Sequence, residues 1–273
     1  MNLERQIWAG EGVQVFRFWH PCNDEHVDPK CERADVASVN FLERGLFGLT
    51  VGHDSWEIDE SQCFITRPGL VYRSSHREAI PTDVFVSLVY SESAVDEVCS
   101  VKGKRHDRAV VAVSNRAQYL LQRLKEKISV APAESLEIDL LARNLLAETL
   151  TTDTRRQYSI SQIRWYTSRV EAARYLFETS FHQQHSLGTV AKSVGMSPYH
   201  FAHIFAELTG TPPHRYLLRE RLKAAAGLLR DGADVTGVCF RVGFNQLSHF
   251  SRMFRREYGC EPSRFRELGS GRR

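Results

Sequence analysis

Long apolar runs are missing from this sequence. No stretch approaches the roughly 20 residues that a bilayer-spanning helix requires, so a membrane protein is not expected. The first twelve residues carry Glu4, Arg5 and Glu11 without an apolar core, so no secretory leader is expected and the location reads as cytoplasmic. Cysteine is sparse, at six in 273 residues, and no Cys-x2-Cys pair occurs. That excludes a disulfide scaffold and favours free thiols. Glycine (17) and proline (9) are too few for a collagen-like or low-complexity chain. An excess of one charge is also missing: 36 Lys+Arg meet 33 Asp+Glu, a formal net of +3. Taken whole, that balance argues against a polyanionic partner.

Divided along the chain, the charge says the opposite. Residues 160–273 hold 17 basic and 9 acidic side chains, a net of +8, while residues 1–159 hold 19 and 24, a net of −5. One half thus suits a polyanion and the other does not. At 42% apolar and 25% charged the composition is that of a globular protein long enough for one large domain or two ordinary ones.

The texture changes with the charge. Residues 13–113 alternate short apolar stretches, such as Val13–Phe18, Leu46–Val51 and Val84–Tyr90, with turn-forming Gly, Pro, Asp and Ser. This predicts an N-terminal all-β barrel or sandwich over residues 1–113. From Ser114 the period becomes helical. Residues 114–159 read as a connector of two leucine-rich helices and a linker. Tyr119, Leu120, Leu121, Leu124 and Ile128 share one face of the first helix. Pro132 is expected in the first turn of the second, which runs through Leu136, Leu140, Leu141, Leu145, Leu146 and Leu150. Residues 151–159 are polar and aperiodic. Residues 160–273 read as an all-α domain.

That domain contains a duplication. Val190, Val194 and Gly195 return 48 positions later as Val238, Val242 and Gly243. After the turn the offset is 49, and Phe201, Phe205, Gly210, Pro213 and Tyr216 return as Phe250, Phe254, Gly259, Pro262 and Phe265. Each copy has a short helix, a glycine free to take positive φ, and a second amphipathic helix. Small Ala191 and Cys239 stand where the helices must cross closely. Ser197 is expected to cap the second helix of copy one, with Pro198 at its first position, and Asn245 to cap that of copy two. This is helix-turn-helix geometry, over about 187–208 and 235–257, in which the second helix presents its outer face to a DNA major groove. A pair of αα-hairpins in an ordinary bundle would share the glycine. Two copies in register on the basic side of the chain favour DNA. The outer faces carry Tyr199, His200, Ala202 and His203 in copy one, and Gln246, Leu247, Ser248, Ser251 and Arg252 in copy two, followed by Arg255 and Arg256. No carboxylate intrudes before Glu207 and Glu257. A helix from Pro213 to Leu229 joins the copies and spans roughly 24 Å at about 1.5 Å per residue.

These residues resemble the signature of the AraC/XylS family of bacterial transcription regulators. The resemblance rests on Ser197-Pro-Tyr-His-Phe, the run from Phe205 to Leu217, Arg221-Leu-Lys-Ala-Ala, Val242-Gly-Phe and the run from Ser248 to Arg266. It covers about residues 163–268. It implies two helix-turn-helix units on a linker helix, with base-facing positions at Tyr199, Ala202 and His203 and at Leu247, Ser248, Ser251 and Arg252. Ala202 cannot hydrogen-bond a base and Leu247 offers only apolar contact, so readout is expected to concentrate on His203 and Arg252. The partners implied are double-stranded promoter DNA and RNA polymerase. Separately, the apolar faces of the leucine-rich helices at 115–150 suit the pairing of two chains in a homodimer, or else cover the barrel. The first half resembles, more weakly, the cupin-like sensor domains joined to such DNA-binding domains, and a small-molecule effector is the expected occupant.

Two other readings stay open. His53 and Glu57 have the His-x-x-x-Glu spacing of a metal-binding cupin, yet Val51 and Tyr72 stand where further histidines would be needed. A cupin-type metal enzyme is therefore the alternative, while no catalytic residue, metal or cofactor is expected. His20, Cys22, His26 and Cys31 gather two imidazoles and two thiols within twelve residues. They are candidates for metal or thiol sensing by Cys22 and Cys31, although their spacing matches no zinc motif.

Overall fold

The computed structural model describes residues 3–21, 30–76, 82–102, 108–132, 135–151 and 158–270. The chain divides into two compact units, Met1–Ile163 and Arg164–Arg273.

The first unit opens with nine strands: β1 (Leu3–Ala9), β2 (Val13–Pro21), β3 (Lys30–Arg33), β4 (Ala37–Arg44), β5 (Phe47–Val51), β6 (Asp54–Ile58), β7 (Gln62–Thr66), β8 (Val71–His76) and β9 (Thr82–Tyr90). Then come α1 (Glu92–Lys102), β10 (Val110–Ala112), α2 (Asn115–Val130) and α3 (Ser135–Thr151). All pairings are antiparallel. One sheet has the order β1-β2-β9-β4-β7-β10, the other β3-β8-β5-β6. Of the barrel or sandwich expected, the described residues form two open sheets, and no ladder joins one to the other. Side chains close the structure instead. Leu42, Phe64 and Phe85 of the larger sheet share a core with Phe47, Leu49 and Ile58 of the smaller. Phe47 and Phe85 meet edge to face at 5.1 Å, and Phe64 meets Tyr72 at 5.0 Å, the tilted packing that aromatic quadrupoles favour.

The larger sheet is buried on both faces, which explains the nearly unbroken apolar run in β9. Phe85 faces the smaller sheet, while Val86, Leu88 and Tyr90 lie on the opposite parity and are equally buried. Tyr90 Oη donates to Ala142 O of α3 at 2.9 Å. Burial holds its pKa well above the ordinary tyrosine value. The helix α3 is thus tied to the sheet. Ser114 caps α2 by accepting from Ala117 N at 3.0 Å, and donates to Glu148 at 2.7 Å.

Two local expectations need correction, and the leucines of α3 divide between core and surface. The helix α1 falls inside the span read as purely β, because Ala94 and Val98 are four apart and buried, with Ser91 Oγ accepting from Ala94 N. Pro132 lies in a turn before α3, outside its first turn. Leu136 and Leu140 do not join Leu141, Leu145, Leu146 and Leu150 in the core; they are 83% and 57% exposed.

The second unit is helical, from Arg164 of α4 (Ile160–Thr179) through α5 (Leu187–Ser193), α6 (Pro198–Thr209), α7 (Pro213–Arg230), α8 (Val235–Arg241), α9 (Leu247–Tyr258) and α10 (Pro262–Ser270). Aromatic rings form two cores, one per helix pair. In the first, Phe205 is packed by Phe201, Phe177 and Tyr216 at 5.5–5.8 Å. In the second, Phe254 meets Phe250, Tyr258 and Phe265 at 4.6–5.7 Å. The helix α7 serves both: Tyr216 reaches the first core, while Leu222, Ala225, Ala226 and Leu229 belong to the second.

Candidate nucleic-acid interface

Each helix pair is set by its turn. Gly195 has φ +71° and Gly243 has φ +91°, values that strain any side-chain-bearing residue. In copy one Met196 N bonds to Ala191 O and Gly195 N to Lys192 O; in copy two Phe244 N bonds to Cys239 O and Gly243 N to Phe240 O. Both are Schellman closures, which satisfy the last carbonyls of the short helix and turn the chain sharply into the next. Ala191 and Cys239 are fully buried at the crossings. Burial pushes the Cys239 thiol up, so it stays protonated.

The second helices start differently in the two copies. Ser197 Oγ accepts from His200 N at 3.4 Å and so caps α6. Asn245 does not cap α9. The capping position is taken by Gln246, which makes no side-chain cap bond. The extra residue in this turn places Asn245 one step too early, and its Oδ1 accepts from Gln184 Nε2 instead, at 3.3 Å.

Phe201, Ile204, Phe205 and Leu208 form the buried face of α6; Phe250 and Phe254 are fully buried in α9. The opposite faces are open. On α6, Tyr199 is 86% exposed, His203 is exposed and Ala202 half-buried. His203 lies 3.8 Å from Glu207 one turn on. His200 turns away from this face: its Nε2 lies 3.1 Å from Tyr166 Oη and its ring sits edge-on to that tyrosine. On α9, Gln246, Leu247, Ser248 and Arg252 are exposed, Ser251 is half-buried, and Arg255 and Arg256 follow on the last turn. Arg255 pairs with Glu261 at 3.3 Å. Among the described residues Arg252 and Arg256 have no carboxylate partner, so both keep a full set of guanidinium donors for a ligand.

Sequence reasoning missed the neighbours of α6. Tyr166 of α4 meets His200 near the start of α6, Trp165 packs on Tyr166, and Arg169 is stacked 3.3 Å over the Trp165 ring. No periodic or repeated signal marks them.

Among the described residues, no group of three or more His, Cys, Asp or Glu side chains is placed to hold a metal ion. His53 lies in the turn between β5 and β6, and both it and Glu57 are exposed. Tyr72 Oη donates to Glu32 at 3.0 Å. His20 belongs to β2 and the exposed Cys31 to β3, while Cys22 and His26 lie outside the described residues. Among the described residues, no helix is long and apolar enough to cross a membrane.

Residues 190–268 match the family described as "Helix-turn-helix domain". The chain is 29% identical over 157 residues to the HTH-type transcriptional activator RhaS of Escherichia coli, a match covering 56% of this chain and 55% of that relative. The similarity is thus to AraC-type regulators, and the matched domain lies in the C-terminal unit. The chain spans about half the length of the curated relatives it matches. Among solved structures, it is similar to a probable AraC family transcriptional regulator from Rhodopseudomonas palustris, at 27% identity and TM-score 0.36, covering 37% of this chain and 97% of that one. It is also similar to the DNA-binding domain of AdpA in complex with a target DNA, at 28% identity and TM-score 0.37, covering 38% and 96%. The matched residues 190–268 run from within α5 through the whole of α6, α7, α8 and α9 into α10.

Proposed function

We propose that this protein is a sequence-specific transcription regulator that reads double-stranded promoter DNA through two helix-turn-helix modules. The observation that carries the reading is the pair of identically closed turns, each delivering an exposed helix face, on one shared helix. The α6 face contributes Tyr199, Ala202 and His203; the α9 face contributes Gln246, Leu247, Ser248, Ser251 and Arg252. Arg255 and Arg256 meet phosphates, and His200 orients α6 through Tyr166. At 18 residues, α7 is about 27 Å long at 1.5 Å per residue, close to one turn of B-DNA when side-chain reach is added. The protein binds its promoter sites in the cytoplasm, touches RNA polymerase there, and catalyses no reaction.

The N-terminal unit is read as a cupin-like sensor for a small-molecule effector. A cavity of about 850 Å³ supports this, a volume suited to a small organic ligand. It is lined by Ser38 and Ile65 of the larger sheet, Val95 and Cys99 of α1, and Leu146 and Leu150 of α3. Leu136 and Leu140, left exposed on α3, support pairing with a second copy. Changing both to Asp should convert a dimer to a monomer in sedimentation equilibrium, and an unchanged mass would remove these residues from the interface.

Salt dependence tests the DNA reading. Neutralising Z phosphates gives a log–log slope of about −0.9Z. Four or more contacts from the cations of α9 and its surroundings therefore predict a slope of about −4 or steeper. Filter binding of the full chain to a duplex selected from random sequence measures it. A slope near zero would overturn the reading.

A further inference from the structure

The turn between α4 and α5 belongs to the first module by sequence, yet it is built into the second. Its root lies in the first core: His185 Nε2 is 2.7 Å from Ser180 O, and the same ring packs on Phe177. Its crest crosses over. Phe181 packs against the core formed by Val238, Val242, Phe250 and Phe254. Arg221, midway along α7, donates from Nε to Phe181 O and from Nη2 to Gln183 O, both at 2.8 Å. Gln184 Nε2 donates to Gly243 O and to Asn245 Oδ1, both at 3.3 Å. The two backbones approach so closely that a Cβ added at Gly243 would lie 2.7 Å from His182 O.

We infer that residues 180–185 form a strap that fixes the spacing and angle of the two recognition helices, with Arg221 and Gln184 as its positioning residues. The shared helix alone sets a distance between the modules. The strap adds a second attachment away from the helix axis, and two attachments resist rotation where one does not. The guanidinium fork holds two carbonyls in fixed geometry. Gln184 grips Asn245, the residue before the Gln246 cap of α9, and so reaches the approach to the recognition helix. The functional consequence rests on the DNA-binding reading. Once one module is bound, the second binds as an intramolecular partner, and its effective concentration depends on how narrowly its placement is held. Arg221 and Gln184 therefore govern selectivity for the spacing between the two half-sequences, without touching a base.

The test uses the full chain and two readouts. Spin labels at Lys192→Cys and Arg256→Cys, with the other accessible cysteines changed to Ser, report the distance between modules without DNA. The distribution should be narrow in the parent and broader in Arg221→Ala and in Gln184→Ala; the latter alters an exposed side chain and keeps the fold. Arg221→Lys, which retains the charge and one donor, should fall between. Equal widths in parent and variants overturn the strap. For DNA, one base pair is inserted between the half-sequences of the selected duplex. The parent should lose about tenfold or more in affinity and Arg221→Ala less than about threefold, since a loosened pair of modules tolerates mismatched spacing. Equal penalties overturn the selectivity role. A broadened distribution in a chain that binds no DNA sinks the DNA reading while the strap stands.

Discussion

Replacing Phe254 with Ala should lower the stability of the C-terminal unit by about 3–5 kcal/mol, the range for emptying a fully buried phenyl site. Phe254 has no exposed surface and touches three other rings, Phe250, Tyr258 and Phe265. These come from both ends of α9 and from α10, so no single neighbour can move in to fill the space. At about 4–8 °C per kcal/mol for a domain near this size, the transition of the C-terminal unit should fall by more than 10 °C. Calorimetry of the full chain measures this, with the N-terminal unit as an internal control. Phe254→Leu should cost much less, because it retains most of the apolar volume. A loss below about 1 kcal/mol for Phe254→Ala would mean that this core is not what holds α9 in place.

Arg252→Ala should weaken binding to the selected duplex by about 1–3 kcal/mol, some five- to 150-fold, and relax the preference at one base position. The side chain is exposed on the open face of α9 and has no carboxylate partner among the described residues. Its removal therefore leaves no buried charge behind, and the loss reports the DNA contact alone. Arg256→Ala serves as the contrast. From the last turn it should weaken specific and random duplexes alike and make the salt slope shallower by about one. If Arg252→Ala also weakens both equally, Arg252 is a phosphate contact and base readout falls to His203 and the polar groups of α9.

The C-terminal helices were legible because duplication prints the same physical demands twice. Gly195 and Gly243 mark the turns, Phe201 and Phe250 the buried faces, and Ala191 and Cys239 the close crossings. The repeat also misled at one point. Asn245 sits where a capping residue is expected, yet one inserted residue moved the helix start to Gln246 and freed Asn245 for Gln184. The strap itself left no trace in the sequence. Arg221 reads as one more cation on an amphipathic helix, and its partners are main-chain carbonyls 38 and 40 residues away, which carry no residue code. In the N-terminal unit the short apolar strands such as β9 were readable, but closure was not. Whether strands join into a barrel or stack as two sheets depends on which edges pair, and edge pairing is set by twist and long-range contacts. The exposure of Leu136 and Leu140 was hidden for a simpler reason: α3 carries leucine on more than one face, so its apolar residues outnumber the places against the core.

The double duty of α7 restricts how this protein could have changed over time. One residue inserted between Tyr216 and Leu222 would rotate everything beyond it by about 100° and advance it by 1.5 Å. Tyr216 would keep its place against Phe205, while Leu222, Ala225 and Leu229 would swing out of the second core. Compensation would need about seven inserted residues, two full turns, and would carry the second module roughly 10 Å along the DNA. Descendants of this sequence can therefore alter which bases they read one side chain at a time, while the interval between the two reading heads stays locked to the phase of a single helix.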